Sequence, residues 1–448
     1  MSRLRRIIAV WAAKATGFAC RITGKQGVTL AGQIALKIDP DILKELSGQV
    51  KEKIFVTCGT NGKTTTNNLL CSAIEAEGKK VVCNHTGSNM LNGVAAAFAQ
   101  NASLSGNLKA DYACIEVDEA STVRIFPHFK PDYMVLTNLF RDQLDRYGEI
   151  DITMNLLKKA MEMAPEMEVI VNGDDSLSTY LAMESGNPYV TFGIGEQYFK
   201  DQKDSGEIRE GTFCKKCGSR MEYHFYHYSQ LGDYYCPNCG FKRPKLTYNA
   251  LKVHAGDNLS FEVNGTAIEA NYRGFYNIYN ILAAYAAGKE AGLKLTAYNR
   301  VLRKDSPENG RNEAFHIDGT DIILNLAKNP AGFNQNISAV MEDTKEKDLI
   351  ILINDNSQDG IDVSWLWDVD FDRFKNAGIH SITVSGIRCR DMQLRLKYVD
   401  IPSILEPDIE KAIQDRIKDG VKNLYVLVNY TGLYKTHNIL KKLEGEQK

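Results

Sequence analysis

GTNGKTTT, Gly59 to Thr66, is the stretch that decides the fold class of this chain. The apolar run Ile54, Phe55, Val56 before it predicts a buried strand. After it, Leu69, Leu70, Ala73 and Ile74 share one face, predicting a helix closed at Gly78. Strand, glycine loop, Lys-Thr and helix, in that order, make a nucleotide phosphate site. The glycines of the loop, which includes Thr60 and Asn61, let backbone N–H groups turn inward on phosphate oxygens, and the helix N-terminus adds positive potential. Chemistry assigns Lys63 to the β and γ phosphates and the Thr64 hydroxyl to Mg²⁺, with Thr65 beside them. The glycines stand two residues apart instead of four, and three threonines follow the lysine. A glycine turn that binds nothing does not explain this context. The chain is expected to bind ATP.

Working outward from that loop, strand and helix patterns alternate from about residue 50. Strands are predicted at 53–57, 80–84, 111–117, 132–137, 168–172 and 189–192. Such alternation predicts an α/β fold with a doubly wound parallel sheet, whose ligands lie beyond the carboxyl ends of the strands. Glu116, Asp118, Glu119 and Asn138 fall there. Residues 200–246 break the pattern and carry two CxxC pairs. Short β-like segments and then a helix at 276–292 follow, and a second α/β block has strands at 321–326, 348–354, 380–385 and 423–429. With Pro307 near the boundary, the expected division is 1–48, 49–305 with 200–246 inserted, and 310–448.

The chain has 448 residues, enough for two or three domains, and a net charge of −2 that gives no global reason to expect nucleic acid. Of ten cysteines, Cys214, Cys217, Cys236 and Cys239 have the spacing of a four-cysteine zinc ribbon, each pair ending in glycine (CKKCG, CPNCG). Four soft ligands leave Zn²⁺ no open position, so the role is structural. Lys215, Lys216, Lys242, Arg243 and Lys245 are too modest a basic set to argue for DNA or RNA. The remaining cysteines read as free thiols, which suits the cytoplasm.

Arg3, Arg5 and Arg6 before the run Ile7 to Ala13 look like a signal peptide. The run is too short to span a bilayer, and nucleotide and thiolate sites argue against export. As a helix it places Arg3, Lys14 and Arg21 near one face, with Leu4, Ile7, Ile8, Trp11 and Phe18 largely on others. Two readings stand: a basic amphipathic helix at the inner face of the plasma membrane, or a helix packed on the protein body.

Taken together, the motifs resemble the Mur ligase family, ATP-dependent ligases of peptidoglycan stems and their folate-adding relatives. GTNGKTTT is that family's form of the phosphate loop, and Glu116 in IEVDE stands at its Mg²⁺ glutamate. LTNLFRDQLDRYG resembles its Asn-x-x-x-Asp-His segment, with Asn138 retained and Gln143 in place of the histidine. FYNIYNILAA carries Asn277 and Asn280 at the spacing of the adenine-side Asn-x-x-Asn motif, and Arg311 in NGRNE matches the interdomain linker. LAKNPAG resembles the Tyr-Ala-His-Asn-Pro loop, with Lys328 for its histidine. Fifty residues before the first strand leave no room for the usual UDP-sugar domain.

The missing UDP domain, the ribbon and DNSQDGIDVSWLWD (Asp355–Asp368) together resemble an amidating subgroup. The resemblance implies a central P-loop domain, a C-terminal Rossmann-like α/β domain, and ATP, Mg²⁺ and Zn²⁺ as cofactors. It further implies amidation of the D-glutamate α-carboxylate of lipid II through an acyl phosphate. The ammonia would come from a GatD-like glutaminase, a class I glutamine amidotransferase, held as a heterodimer. Lys63 and Glu116 would serve the phosphoryl transfer, and Asp355 would orient the glutaminase's histidine. Asp355, Asp359, Asp362 and Asp368 read equally as helix-capping loop acids, and Trp365 and Trp367 as interface anchors or core. Two rival functions remain: a ligase adding an amino acid, and a zinc-ribbon nucleic-acid-binding ATPase.

Overall fold

The structure, a computed structural model, describes residues 2–22, 27–85, 88–142, 149–199, 209–256, 258–304 and 311–445. Gln143, Pro307, residues 200–208 and the side chain of Arg311 lie outside the described residues.

Three helices lead the chain: α1 (Ser2–Ile22), α2 (Val28–Ile38) and α3 (Ile42–Ser47). The alternating block then builds β1 (Val50–Cys58), α4 (Lys63–Glu75), β2 (Val81–Cys83), α5 (Leu91–Asn101), β3 (Ala110–Glu116), β4 (Tyr133–Leu136), β5 (Glu168–Asn172) and β6 (Tyr189–Ile194). The hairpin β7 (Glu222–Tyr228) and β8 (Leu231–Tyr235) pairs only with itself among the described strands. Next come β9 (Tyr248–Ala255), β10 (Leu259–Val263) and β11 (Thr266–Ala270), then helices Tyr276–Glu290 and Tyr298–Lys304.

These strands form a nine-stranded sheet in the order β11-β10-β9-β6-β5-β4-β1-β3-β2. Its β2-to-β9 part is parallel as predicted, but β9, β10 and β11 form an antiparallel meander at one edge. The reason is local: Asn264-Gly265, both at positive φ, make the tight turn that sends β10 back as β11. The central strand β1 lies between β3 and β4, so its carboxyl end opens at the middle of the sheet.

Apolar helices cover both faces of that sheet. One face packs α4 and Tyr276–Glu290 around Phe55, Leu70 and Ile281. The other packs α5 with all three leading helices around Val56, Phe98, Val10, Ala35 and Leu43. Gly32 permits the closest approach, since a Cβ there would meet the Asn92 carbonyl oxygen at 1.7 Å. The three leading helices therefore share the hydrophobic core of the nucleotide unit. No helix among the described residues is long and apolar enough to cross a membrane.

The second unit contains β12 (Arg311–Ile317), β13 (Thr320–Leu326), helix Pro330–Glu342, β14 (Lys347–Leu352), β15 (Ile379–Ser385), β16 (Ile404–Leu405) and β17 (Asn423–Val428). The sheet order is β12-β13-β17-β14-β15-β16, parallel except for β12, which turns into β13 at Asp318-Gly319. β14 ends at Leu352, two residues short of the predicted span, because the chain there turns to the buried Asn429 amide. Asp355 therefore lies in the loop beyond the strand.

Candidate active site

The phosphate loop is built as the sequence predicts, and it leaves no room for side chains. Gly59 and Gly62 adopt φ of +119° and +86°, the left-handed region that favours glycine. A Cβ at Gly59 would sit 2.3 Å from Thr137 Oγ1, and one at Gly62 would sit 2.0 Å from Asn280 Oδ1. Asn280 thus reaches the loop itself, at the phosphate end, while its amide also donates to Asn277 Oδ1 at 2.8 Å. Asn277 in turn donates to the Arg273 carbonyl at 2.7 Å.

Asn138 holds the loop from the neighbouring strand end. Its Oδ1 accepts from Asn61 N at 2.9 Å and its Nδ2 donates to Asn61 O at 3.1 Å. The Thr60 N–H donates to the Asn138 carbonyl at 2.9 Å, and the Thr60 hydroxyl donates to Phe140 O at the same distance. Asn138 is consequently spent on shaping the loop. Thr65 is half-buried in the first turn of α4.

Three acids face the Lys-Thr pair. The Lys63 ammonium donates to Glu119 Oε1 at 2.8 Å and to the Gly59 carbonyl at 2.5 Å. Burial works against that charge, but Glu119, Glu116 and Asp118 outweigh it and hold Lys63 above its ordinary pKa. The Thr64 hydroxyl donates to Glu116 Oε2 at 2.6 Å, and Asn89 Nδ2 donates to Glu116 Oε1 at 3.0 Å. The Asn84 side chain bonds the Glu116 main chain in both directions at 2.8 Å. Hard hydroxyl and carboxylate oxygens side by side fit a Mg²⁺ ion. Glu119, Asn89 and Asn84 were not singled out for these contacts by the sequence; the IEVDE cluster was the available signal for the first.

The second sheet's unit meets this loop directly. Asn329 Nδ2 donates to Asn61 Oδ1 at 3.1 Å, and Lys328 Nζ lies 2.6 Å from Asp142 Oδ2. Arg141 pairs with Asp368 across the same boundary. Of the acids beyond β14, Asp362 accepts from Ser364 N and Asp359 from Thr431 N, both at 2.8 Å. Asp355 accepts from Arg388 Nε at 2.8 Å and Nη2 at 2.7 Å. Trp365 is partly buried against Phe333, whereas Trp367 is 50 % exposed beside Ile361 and Tyr398, both also exposed. The two tryptophans therefore divide between the two readings.

The four ribbon cysteines converge, with Cys214–Cys239 and Cys217–Cys236 sulfurs 3.6 and 3.5 Å apart. Gly218 and Gly240, at φ +74°, each donate N–H to the carbonyl of the first cysteine of their pair, forming the two knuckles. Ser219, through its hydroxyl and N–H, pulls the Cys217 thiol down to about 6. The set fits Zn²⁺. The hairpin is anchored to the sheet by a buried network: Arg243 and Tyr279 both donate to Asp174, at 2.8 and 2.7 Å, and Tyr279 Oη lies 2.6 Å from His227 Nδ1.

Comparisons with known proteins agree with this geometry. The family model described as Mur ligase middle domain matches residues 56–288, and that described as MurT ligase C-terminal matches 326–433. A relative named lipid II isoglutaminyl synthase (glutamine-hydrolyzing) subunit MurT, from Staphylococcus aureus, is 36 % identical over 96 % of both chains. Its namesake from Streptococcus pneumoniae is 33 % identical over 98 % of this chain and 97 % of its own. Among solved structures, a pseudomurein peptide ligase type C from Methanothermus fervidus superposes with a TM-score of 0.70 at 21 % identity, covering 89 % of this chain and 80 % of its own. MurF ligase from Thermotoga maritima in complex with ADP gives 0.63 at 13 %, over 93 % of this chain and 85 % of its own. At those identities the two structures establish the fold alone.

Proposed function

This chain belongs to the Mur ligase family, in its MurT branch, and from that premise we propose that it is the synthetase subunit of a lipid II isoglutaminyl synthase. The reaction is ATP-dependent amidation of the D-glutamate α-carboxylate of the lipid II stem, in peptidoglycan synthesis. The observation that carries it is the Lys63, Thr64 and Glu116 arrangement on the glycine loop, joined to a C-terminal unit of the MurT kind.

A carboxylate oxygen attacks the γ-phosphorus, the bond to ADP breaks, and an acyl phosphate forms. Ammonia then adds to the acyl carbon, inorganic phosphate leaves, and a proton passes to solvent. Loop N–H groups and Lys63 receive the triphosphate, Lys63 exchanging Glu119 for phosphate oxygens. Glu116 and Thr64 would hold Mg²⁺, which would supply charge neutralisation at the phosphates. Asn138, Asn277 and Asn280 shape the pocket, and Arg311 serves from the linker. The four cysteines hold a structural Zn²⁺.

Ammonium is a poor nucleophile at neutral pH, which favours a GatD-like glutaminase as heterodimer partner. Asp355, clamped by Arg388, is the group we assign to it, in a unit that also exposes Ile361, Trp367, Ile387 and Tyr398. Asp355 orients the glutaminase's histidine from there. Domain limits of 49–305, with the ribbon at 200–246, and 310–448 follow the same reading.

A lipid-linked substrate favours work at the inner membrane face. Helix α1 supports it: Ala9, Val10 and Ala13 are buried, while the opposite face exposes Leu4, Ile8, Trp11 and Phe18. The helix has no acidic residue and exposes Arg3, whereas Lys14 of the expected basic face donates to the Gln100 carbonyl at 2.6 Å and Arg5 donates to the Ile38 carbonyl.

The test is mass analysis of lipid II incubated with the co-purified complex, ATP, Mg²⁺ and glutamine. Carboxyl-to-carboxamide conversion with stoichiometric ADP supports the reading, and Lys63→Ala abolishes it. ADP formation that requires an amino acid instead of ammonia transfers the assignment to stem-extending ligases.

A further inference from the structure

Behind the phosphate loop, three soft donors converge that the ligase chemistry does not use. Cys71 lies on α4, Cys83 ends β2, and His85 follows two residues later. The two sulfurs and an imidazole nitrogen all lie within 4.8 Å of one another, with Cys71 Sγ 4.0 Å from His85 Nε2. Around Zn²⁺, ligand bonds of about 2.0–2.3 Å put tetrahedral neighbours roughly 3.5–4 Å apart. Small side-chain rotations bring this trio to that spacing.

Both sulfurs lie at the edge of the core around Leu70 and Ala73, yet polar groups also reach Cys83. Asn67 Nδ2 donates to Cys83 Sγ at 3.3 Å and is itself oriented by the Cys114 carbonyl at 3.2 Å. The Cys83 thiol donates to Asn68 Oδ1 at 3.8 Å, a bond that metal binding would replace. An N–H directed at sulfur is the outer-shell contact that stabilises a bound thiolate. Both sulfurs are buried and His85 is exposed, which leaves a path for an ion to enter and a fourth position for water.

We infer that Cys71, Cys83 and His85 form a second soft-metal site, separate from the ribbon, that takes a thiolate-preferring ion such as Zn²⁺. Binding releases two thiol protons to solvent as two metal–sulfur bonds form. Its consequence is mechanical. α4 carries Lys63 and Thr64, and Asn84, between two of the ligands, is the residue that bonds the Glu116 main chain both ways. An ion here ties the phosphate-loop helix to the strand end that sets the Mg²⁺ carboxylate.

The experiment uses the full chain, reduced, stripped with chelator and titrated with Zn²⁺ and with Co²⁺. Wild type is expected to take two equivalents, and His85→Ala and Cys71→Ser one each, with the ribbon's cobalt–thiolate absorption retained. His85 is exposed, so its variant folds even where Cys71→Ser does not. One equivalent in wild type, or two in His85→Ala, overturns the inference. Because metal content is read without substrate, that failure is distinct from failure of the ligase assignment.

Discussion

Lys328→Ala removes the cation from Asp142 without touching the phosphate loop. The pair spans the boundary between the two sheets' units at 2.6 Å, with side-chain exposures of 26 % and 12 %. Burial alone pushes the Asp142 carboxyl up, but the Lys328 ammonium outweighs it and holds the group below the usual carboxylate value. Breaking a fully buried pair costs about 3–5 kcal/mol and an exposed one about 0–1, so this intermediate pair is worth about 2 kcal/mol. The contact exists only where the units meet. Its loss therefore falls on the closing equilibrium and not on either hydrophobic core. At about 1.4 kcal/mol per tenfold, the closed population relative to the open one falls about thirtyfold. Small-angle scattering of the full chain with ATP should show a larger radius, and kcat/KM for ADP formation should drop about ten- to thirtyfold. The calorimetric transition should stay near wild type. Adding Asp142→Asn restores part of the rate, because no buried charge is then left alone. As a group with a lowered pKa, Asp142 contributes fully above the ordinary carboxylate value and loses its contribution as pH falls through the lower folded one. Closure in wild type is accordingly flat between about pH 6 and 8. Unchanged scattering and kcat/KM in Lys328→Ala would refute the reasoning.

Asp355→Asn should leave ATP binding intact and amidation from added ammonium measurable, yet abolish the glutamine-dependent reaction in the complex; equal glutaminase rates in mutant and wild type would remove Asp355 from that role. Arg243→Ala leaves the fully buried Asp174 carboxylate without its cation and should cost about 3–5 kcal/mol, read as a lower denaturant midpoint. A shift under 1 kcal/mol would mean the ribbon anchor is not what the geometry says. Leu4→Gln, Ile8→Gln and Phe18→Gln combined should reduce binding to anionic vesicles about tenfold or more, while neutral vesicles bind neither protein; unaltered sedimentation with vesicles argues for α1 as a purely internal strut.

What the sequence could reveal depended on whether the participants were neighbours along the chain. Strand, loop and helix at 50–75 are contiguous, so residue order alone predicts the phosphate loop. The ribbon was legible for the same reason, since its ligand spacing is its signature. The first antiparallel edge was legible only as short β-like segments before residue 276, without their direction, and the second was missed although Asp318-Gly319, like Asn264-Gly265, stands as a turn dipeptide between strands. Glu119 and Lys63 are 56 residues apart, and Asn61 and Asn329 are 268 apart. No local pattern reports such pairs, which exist only once β1 and β3 align and the second unit closes. In α1 the periodicity was visible, but an apolar helix with two apolar faces does not announce which one the core takes. Packing chose the small residues Ala9, Ala13 and Gly17, which allow close helix contact, and left the large ones outside.

The boundary contacts also connect the two chemistries assigned to this chain. Asp355 begins the loop that ends at Asp368, and Asp368 is held by Arg141, next to the Asp142 that Lys328 grips. The glutaminase surface proposed at Asp355 is thus joined to the phosphate loop through the acidic loop and the Arg141–Asp368 and Lys328–Asp142 pairs at the boundary. A ligand that favours closure at the loop end orders the acidic loop at the other. Linkage makes the effect mutual: whatever factor ATP contributes to partner affinity, the partner contributes to ATP affinity. Ammonia would otherwise be released where no acyl phosphate waits for it. If ATP and the partner both favour these boundary contacts, glutamine hydrolysis is expected to rise with nucleotide; equal glutaminase rates with and without ATP would rule the link out.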